Sequence, residues 1–324
     1  MRPVFADPKT DVIFKKIFGE QAHKHLLIAL LNALLELDEA HQILDVTYLS
    51  PEQLPHRKDL KLSILDVKCT DARGAQYVVE MQVIEVEGFQ KRVVYNACKA
   101  YTSQLGVGDD YPALNDVIAV TVCDFVLWPD QDEQGDYRVP MLSRWHMAER
   151  HCAVPGLGEL QYVFLELPKY AAGDQPASTA EKWAWFFREA RRQQRVPAAL
   201  ASGPYATAFE VARVANLSEA EWTEYEREKM AEQDFRGGLS LAERRGEERG
   251  EARGEARGEA RGRAEGKQLG LEQGLRATIR DLCELLNLPL GPDRDAELAV
   301  MDLDALERTR RLLKTTRSWP DPAR

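Results

Sequence analysis

The segment 61–84, KLSILDVKCTDARGAQYVVEMQVI, constrains the fold more than any other part of the 324-residue chain. Two runs rich in β-branched and aromatic residues flank Asp71-Ala72-Arg73-Gly74, a pattern that predicts a β-hairpin. A three-residue loop of Ala72, Arg73 and Gly74 puts glycine where a left-handed residue is wanted, and Asp71 then pairs with Ala75. Counting outward from that turn sets Asp66 opposite Glu80. Directly opposed side chains have Cβ atoms roughly 4.5–5.5 Å apart, where two like charges repel unless a cation lies between them. A metal held by Asp66 and Glu80 is the expectation. Alternation places Lys68, Glu80 and Gln82 on the face of Asp66, and Tyr77, Val79, Met81 and Val83 on an apolar face. A one-residue change in the loop would move Asp66 opposite Val79, so the facing of the carboxylates depends on the turn. The competing reading is a hairpin with one solvated face, whose polar residues are simply the wet half of the alternation.

Around the hairpin, Asp7 before Pro8 predicts the start of a helix that carries Asp11 and Lys15 as i,i+4 neighbours and buries Ile13, Phe14, Ile17 and Phe18. Residues 26–37 predict a second apolar helix, too short to span a bilayer. Residues 89–105 predict a third, with Arg92, Tyr95 and Lys99 on one face, where basic and aromatic groups suit either a DNA backbone or a snorkelling rim. Residues 116–125 read as a buried central strand and 160–167 as another. Helices are expected over 181–195 and 204–231, with Trp183, Trp185, Phe186 and Phe187 docking on the core.

An ordered series of motifs covers roughly the first half of the chain: FADPKTDVIFKKIFG from Phe5, LLNALL ending at Leu35, LSPEQ from Leu49, SILDVK ending at Lys68, VEMQ ending at Gln82, FQKRVVY from Phe89, YTSQLG ending at Gly106 and YPAL from Tyr111. With these the chain resembles the Rpn family of recombination-promoting nucleases, also described as transposases, within the PD-(D/E)XK nuclease superfamily. The resemblance implies an α/β fold, a mixed sheet flanked by helices, followed here by a helical C-terminal part. It implies that Asp66 and Glu80 hold Mg²⁺ with a backbone carbonyl and waters, and that a water attacks a DNA phosphodiester. The superfamily lysine two residues after the second acid is Gln82 here, an amide that offers hydrogen bonds but no charge. Gln82 would orient the water or a phosphate oxygen, and Lys68 is the nearest candidate for the missing charge. Lys15, Arg92 and Lys99 are weaker candidates for DNA contact, and Lys58, Lys61 and Lys91 extend a basic rim.

The formal net charge of −10 argues against a protein that coats DNA, because non-specific affinity comes largely from neutralised phosphates. Cys69, Cys98, Cys123, Cys152 and Cys283 lack any C-x-x-C spacing, and no N-terminal signal peptide is visible; a reduced, cytoplasmic setting without membrane segments is the expectation. His146, His151 and Cys152 lack a second ligand pair at zinc spacing. From Gly246 to Gly274 a glycine recurs every four residues. Each costs about 0.8–1.0 kcal/mol in a helix interior relative to alanine, so this stretch is either a flexible linker or a helix stabilised by a neighbour, Glu stripe to Arg stripe. Ile279, Leu282, Leu285 and Leu286, then Leu303, Leu306, Leu312 and Leu313, predict a helical hairpin turning at 288–292 that docks or dimerises. The expected organisation is a nuclease-like domain over 1–170, a helical extension over 176–236, the glycine repeat over 237–275 and the hairpin over 276–317. Two functional readings follow: an Mg²⁺-dependent DNA endonuclease, or a non-catalytic nuclease-like interaction protein that oligomerises through its C-terminal repeat.

Overall fold

A six-stranded mixed sheet organises the N-terminal part of the computed structural model, which describes residues 2–53, 63–154 and 156–320. Lys58 and Lys61 lie outside the described residues. The strands are β1 (Val46–Tyr48), β4 (Val67–Asp71), β5 (Gln76–Gln82), β6 (Val117–Cys123), β7 (Leu142–Trp145) and β8 (Leu160–Glu166), in the order β1-β4-β5-β6-β8-β7. A separate two-stranded ladder joins β2 (Glu52–Gln53) to β3 (Ser63–Ile64). β5, β6 and β8 run parallel, while β1, β4 and β7 pair antiparallel with their neighbours. All seven residues of β6 are buried, as its nearly continuous apolar run, interrupted only by Thr121, requires of a strand covered on both faces.

Helices cover the two faces unequally. α1 (Asp11–Phe18), α2 (Lys24–Leu35), α4 (Thr179–Glu189) and α5 (Gly203–Val211) share one core with Tyr77, Val79, Ile118, Val120 and Val122. α3 (Phe89–Thr102) covers the opposite face, packing Phe89, Val93 and Ala97 against Val78, Val117 and Ala119. The aromatics of α4 dock as expected: Trp183 is fully buried, its ring 5.5 Å from that of Phe18. α4 starts with a capping box in which Ser178 and Glu181 satisfy each other's backbone donors. α1 begins three residues later than the sequence suggested, with Thr10 and not Asp7 at its cap. Asp7 to Thr10 form a turn closed by Thr10 N–H on Asp7 O at 3.2 Å, and the amide of Val12, in the first turn of the helix, is taken by Glu228 from the distant α6 (Glu219–Leu285). Tertiary contact replaces the local cap.

The chain divides into two compact units, Met1–Gln233 and Asp234–Arg324, and the division falls inside α6 (Glu219–Leu285). The glycine repeat is helical throughout; alanine, glutamate and arginine, among the best helix formers, fill the positions between its glycines. In the second unit α7 (Pro292–Val300) intervenes before α8 (Leu303–Thr316), so three helical segments stand where a two-helix hairpin was expected. The inward stripe of α6 is Leu275, Ile279 and Cys283, packed with Leu298, Leu306 and Leu313, whereas Leu285 is 80% exposed. The i,i+4 phase of Cys283 with Ile279 wins over that of Leu285. Among the described residues no helix is long and apolar enough to cross a membrane.

Candidate active site

The β4–β5 turn has the register that the loop chemistry demands. Asp71 N–H donates to Ala75 O at 3.0 Å, Gly74 has φ +91°, and Val67 faces Val79. Continued by one residue, that register sets Asp66 against Glu80. Asp71 organises the turn: its carboxylate accepts from the amides of Arg73 and Ala75, from the Arg73 guanidinium and from the Tyr77 hydroxyl. Asp66 stands at a bend just before β4, and its Oδ2 accepts the Met81 amide at 2.8 Å. The side chain thereby takes over from the ladder where the backbone pairing stops.

Glu80 lies on the α3 side of the sheet and is 8% exposed. The competing reading of a solvated face fails here, because α3 covers it. Asn96 Nδ2 on α3 donates to Glu80 Oε1 at 2.8 Å. Gln82, two residues on, accepts from Arg92 one turn earlier on α3 and donates through Nε2 to Ile84 O at 2.7 Å. Its amide is committed to holding Arg92 and the chain after β5 as well as facing the cleft. Asp66, Glu80, Gln82, Arg92, Tyr95 and Asn96 all line one cleft of about 930 Å³, with Lys91 also on its wall.

Burial pushes the Asp66 carboxyl up to about 7, helped by the charges of Asp11 and Glu80 and opposed by the Met81 amide and Lys15. Burial likewise raises Glu80, while the Arg92 charge and the Asn96 hydrogen bond pull it down. Two adjacent carboxylates held out of water are costly to ionise together unless a cation joins them. The donor set fits a hard divalent ion. Asp66 and Glu80 each keep one oxygen without a hydrogen bond among the described residues, and buried Asn96 Oδ1 has no partner there. An all-oxygen set with room for waters is what Mg²⁺ takes.

The remaining sequence candidates are placed differently. Lys68 shares the Glu80 face, opposite Val78, but is not on the cleft wall; burial lowers its ammonium pKa. Arg92, carried by the helix and not by the strand, is hydrogen-bonded to Gln82 on the cleft wall. Lys15 forms an exposed pair with Asp11 at 2.8 Å. Lys99 donates to Gln53 O at 2.6 Å and lies 5.8 Å from the Tyr95 ring, off the cleft wall. Asn96 was missed at the sequence level. Its signal was present: a polar residue interrupts the inward stripe Phe89, Val93, Ala97 and Ala100, and a buried amide demands a partner.

Comparison with curated proteins and with solved structures gave no match. A family model described as PD-(D/E)XK nuclease family transposase matches residues 8–242, a stretch that contains the whole sheet, α1 and both walls of the cleft. With the mixed sheet and the acidic hairpin in place, the chain belongs to the PD-(D/E)XK nuclease family of transposases.

Proposed function

We propose that the chain is an Mg²⁺-dependent DNA endonuclease of the Rpn kind, acting in recombination or on mobile DNA. The observation that carries this reading is that Asp66, just before β4, and Glu80 on β5 line one cleft that also presents Arg92. Asp66 and Glu80 would hold the ion, with the Asn96 side-chain oxygen, unpartnered among the described residues, on the amide that bonds Glu80. When bound, a divalent cation supplies polarisation of the phosphoryl oxygen and acidification of the attacking water. Asn96 holds the Glu80 carboxylate in place by its 2.8 Å hydrogen bond, and the Met81 amide fixes Asp66. Arg92 provides the charge that Gln82 lacks; a guanidinium suits phosphate because its fork can donate two parallel hydrogen bonds. Gln82 aims that guanidinium. Lys91 and Tyr95 on the same wall offer a charge and a ring to the strand being cut.

The test is nicking of supercoiled plasmid by purified protein with Mg²⁺, beside Asp66→Ala and Glu80→Ala. Wild type is expected to nick and both variants to be inactive, with Mg²⁺-dependent thermal stabilisation lost in Glu80→Ala. Equal nicking by all three proteins, or none by wild type, refutes the reading.

A further inference from the structure

We propose that α6 pairs, parallel and in register, with α6 of a second copy of this chain across residues 238–274. The proposal is independent of the nuclease reading and rests on a charge pattern that complements itself. Gly238, Ala242 and the eight glycines from Gly246 to Gly274 form one i,i+4 ridge; at each of these glycines an added Cβ would meet nothing within 4 Å. On one flank of the ridge stand Phe235 and Leu239, then Glu243, Glu247, Glu251, Glu255 and Glu259, then Arg263, Lys267 and Leu271. On the other stand Leu241, then Arg245, Arg249, Arg253, Arg257 and Arg261, then Glu265 and Leu269. Each flank is therefore a block of one sign, a reversal of sign, and apolar side chains at both ends. Those apolar side chains are between 38% and 54% exposed.

Within a single helix this pattern is unfavourable. Neighbours at i,i+4 in the main block carry like charge. Along these two flanks, ion pairs among the described residues occur only across the sign reversal, Glu259 with Arg263 at 3.0 Å and Arg261 with Glu265 at 2.7 Å. A second copy resolves the conflict in one orientation. A two-fold axis parallel to the helices sets the acidic flank of each copy against the basic flank of the other. An antiparallel pair would set Glu251 against Glu259, Glu255 against its own copy, Arg249 against Arg261 and Arg253 against Arg257, leaving opposite signs together only at the outer positions.

The sign reversal then fixes the register. Each residue of one flank meets the residue two positions further along on the other copy: Glu243 to Glu259 meet Arg245 to Arg261, and Arg263 meets Glu265. Sliding one copy by a single repeat sets Glu259 beside Glu265 on one flank and Arg263 beside Arg261 on the other. The terminal Leu239 meets Leu241 of the other copy, and at the far end Leu269 of one copy lies two positions before Leu271 of the other. At 3.6 residues per turn, a four-residue ridge advances about 40° per repeat. The pair therefore winds in the right-handed sense, as hydrophobic periods longer than 3.6 do. Glycine permits the close backbone approach that such a crossing needs.

Sedimentation of the full chain should give twice the 36.7-kDa monomer mass. The four-fold variant Glu247→Lys, Glu251→Lys, Glu255→Lys, Glu259→Lys should sediment as a monomer, as should the variant with Arg249, Arg253, Arg257 and Arg261 all changed to Glu. Mixing the two should restore the dimer, which shows that both helices still form. Orientation is read by oxidising Ala242→Cys in a Cys152→Ser background: a parallel pair gives the disulfide-linked dimer from this single position. A wild-type monomer, a dimer indifferent to the charge variants, or an Ala242→Cys chain that cross-links only to a partner carrying Gly270→Cys overturns the proposal.

Discussion

Replacing Asp66 by Asn should stabilise the metal-free protein at alkaline pH, and the gain should fade as the pH falls. Burial lifts the Asp66 carboxyl from 3.8 to about 7. The unfolded chain ionises this group above 3.8, whereas the folded chain resists ionisation until neutral pH. Stability owed to neutral Asp66 is thus fully present below pH 3.8 and is lost as pH rises through about 7. A shift of roughly three units at about 1.4 kcal/mol each sets an upper bound near 4 kcal/mol. Asp66 keeps part of its surface in solvent, and screening brings the expected effect to about 2 kcal/mol. Asparagine mimics the neutral acid and can still accept the Met81 amide. For a folding unit the size of Met1–Gln233, that gain is a rise in Tm of about 4–8 °C. The measurement is thermal unfolding in EDTA at pH 8 and pH 5, with the difference at pH 5 well under half of that at pH 8. Saturating Mg²⁺ should reverse the order, since wild type gains about 2.7 kcal/mol at a hundredfold excess over Kd and the variant has lost a ligand. An Asp66→Asn protein no more stable than wild type at pH 8, or one whose advantage is the same at both pH values, refutes the account of this carboxylate as buried and waiting for a cation.

Arg92→Ala should slow plasmid nicking by about 10²-fold, the usual effect of removing a donor that stabilises transition-state charge; Arg92→Lys should recover part of it, and single-turnover rates at saturating Mg²⁺ will show which. Gly74→Ala forces a left-handed residue at φ +91° and sets its Cβ 2.4 Å from Asn115 Oδ1, so urea denaturation should report a loss of about 1–2 kcal/mol or more. Trp183→Ala empties the centre of the aromatic cluster with Phe18, Phe186, Phe187 and Tyr205 and should cost about 3–5 kcal/mol, while nicking well below the transition temperature persists.

Local chemistry made the hairpin legible. The Gly74 turn and period-two alternation were enough to give the strand register, because a left-handed glycine and a three-residue loop admit few pairings. β6 was legible for a similar reason: a run of apolar residues broken only by Thr121 leaves only a two-sided burial. Asn96 and Glu228 were not, since each acts on a residue far away in sequence, Glu80 in one case and the Val12 amide in the other. Lys68 illustrates the same limit from the opposite direction. Its face was assigned correctly by alternation, yet a shared face does not place a side chain on a shared cleft: Lys68 lies opposite Val78, which packs under α3, and is absent from the cleft wall. The C-terminal helices were misread by phase, because Leu282, Leu285 and Leu286 offered one apolar stripe and Leu275, Ile279 and Cys283 another.

On the proposed endonuclease reading, the position of α3 would account for a glutamine at the superfamily lysine position. A lysine on β5 would bring its charge along the strand, independently of what covers the sheet. On that reading the charge would arrive from Arg92, and the same helix delivers Asn96 to Glu80 four residues later, so one element would both offset the burial of the acid and supply the cation. Gln82 is the strand's half of that arrangement: an amide accepts from a guanidinium, which an ammonium in the same place would repel. The Arg92 and Gln82 positions are therefore coupled. Gln82→Lys alone, which restores the superfamily residue, should lower activity by setting two cations together under α3, whereas Gln82→Lys combined with Arg92→Gln should recover it. Nicking rates for the two single variants and the double variant measure the coupling directly. A fully active Gln82→Lys single variant would show that Arg92 does not stand in for the lysine.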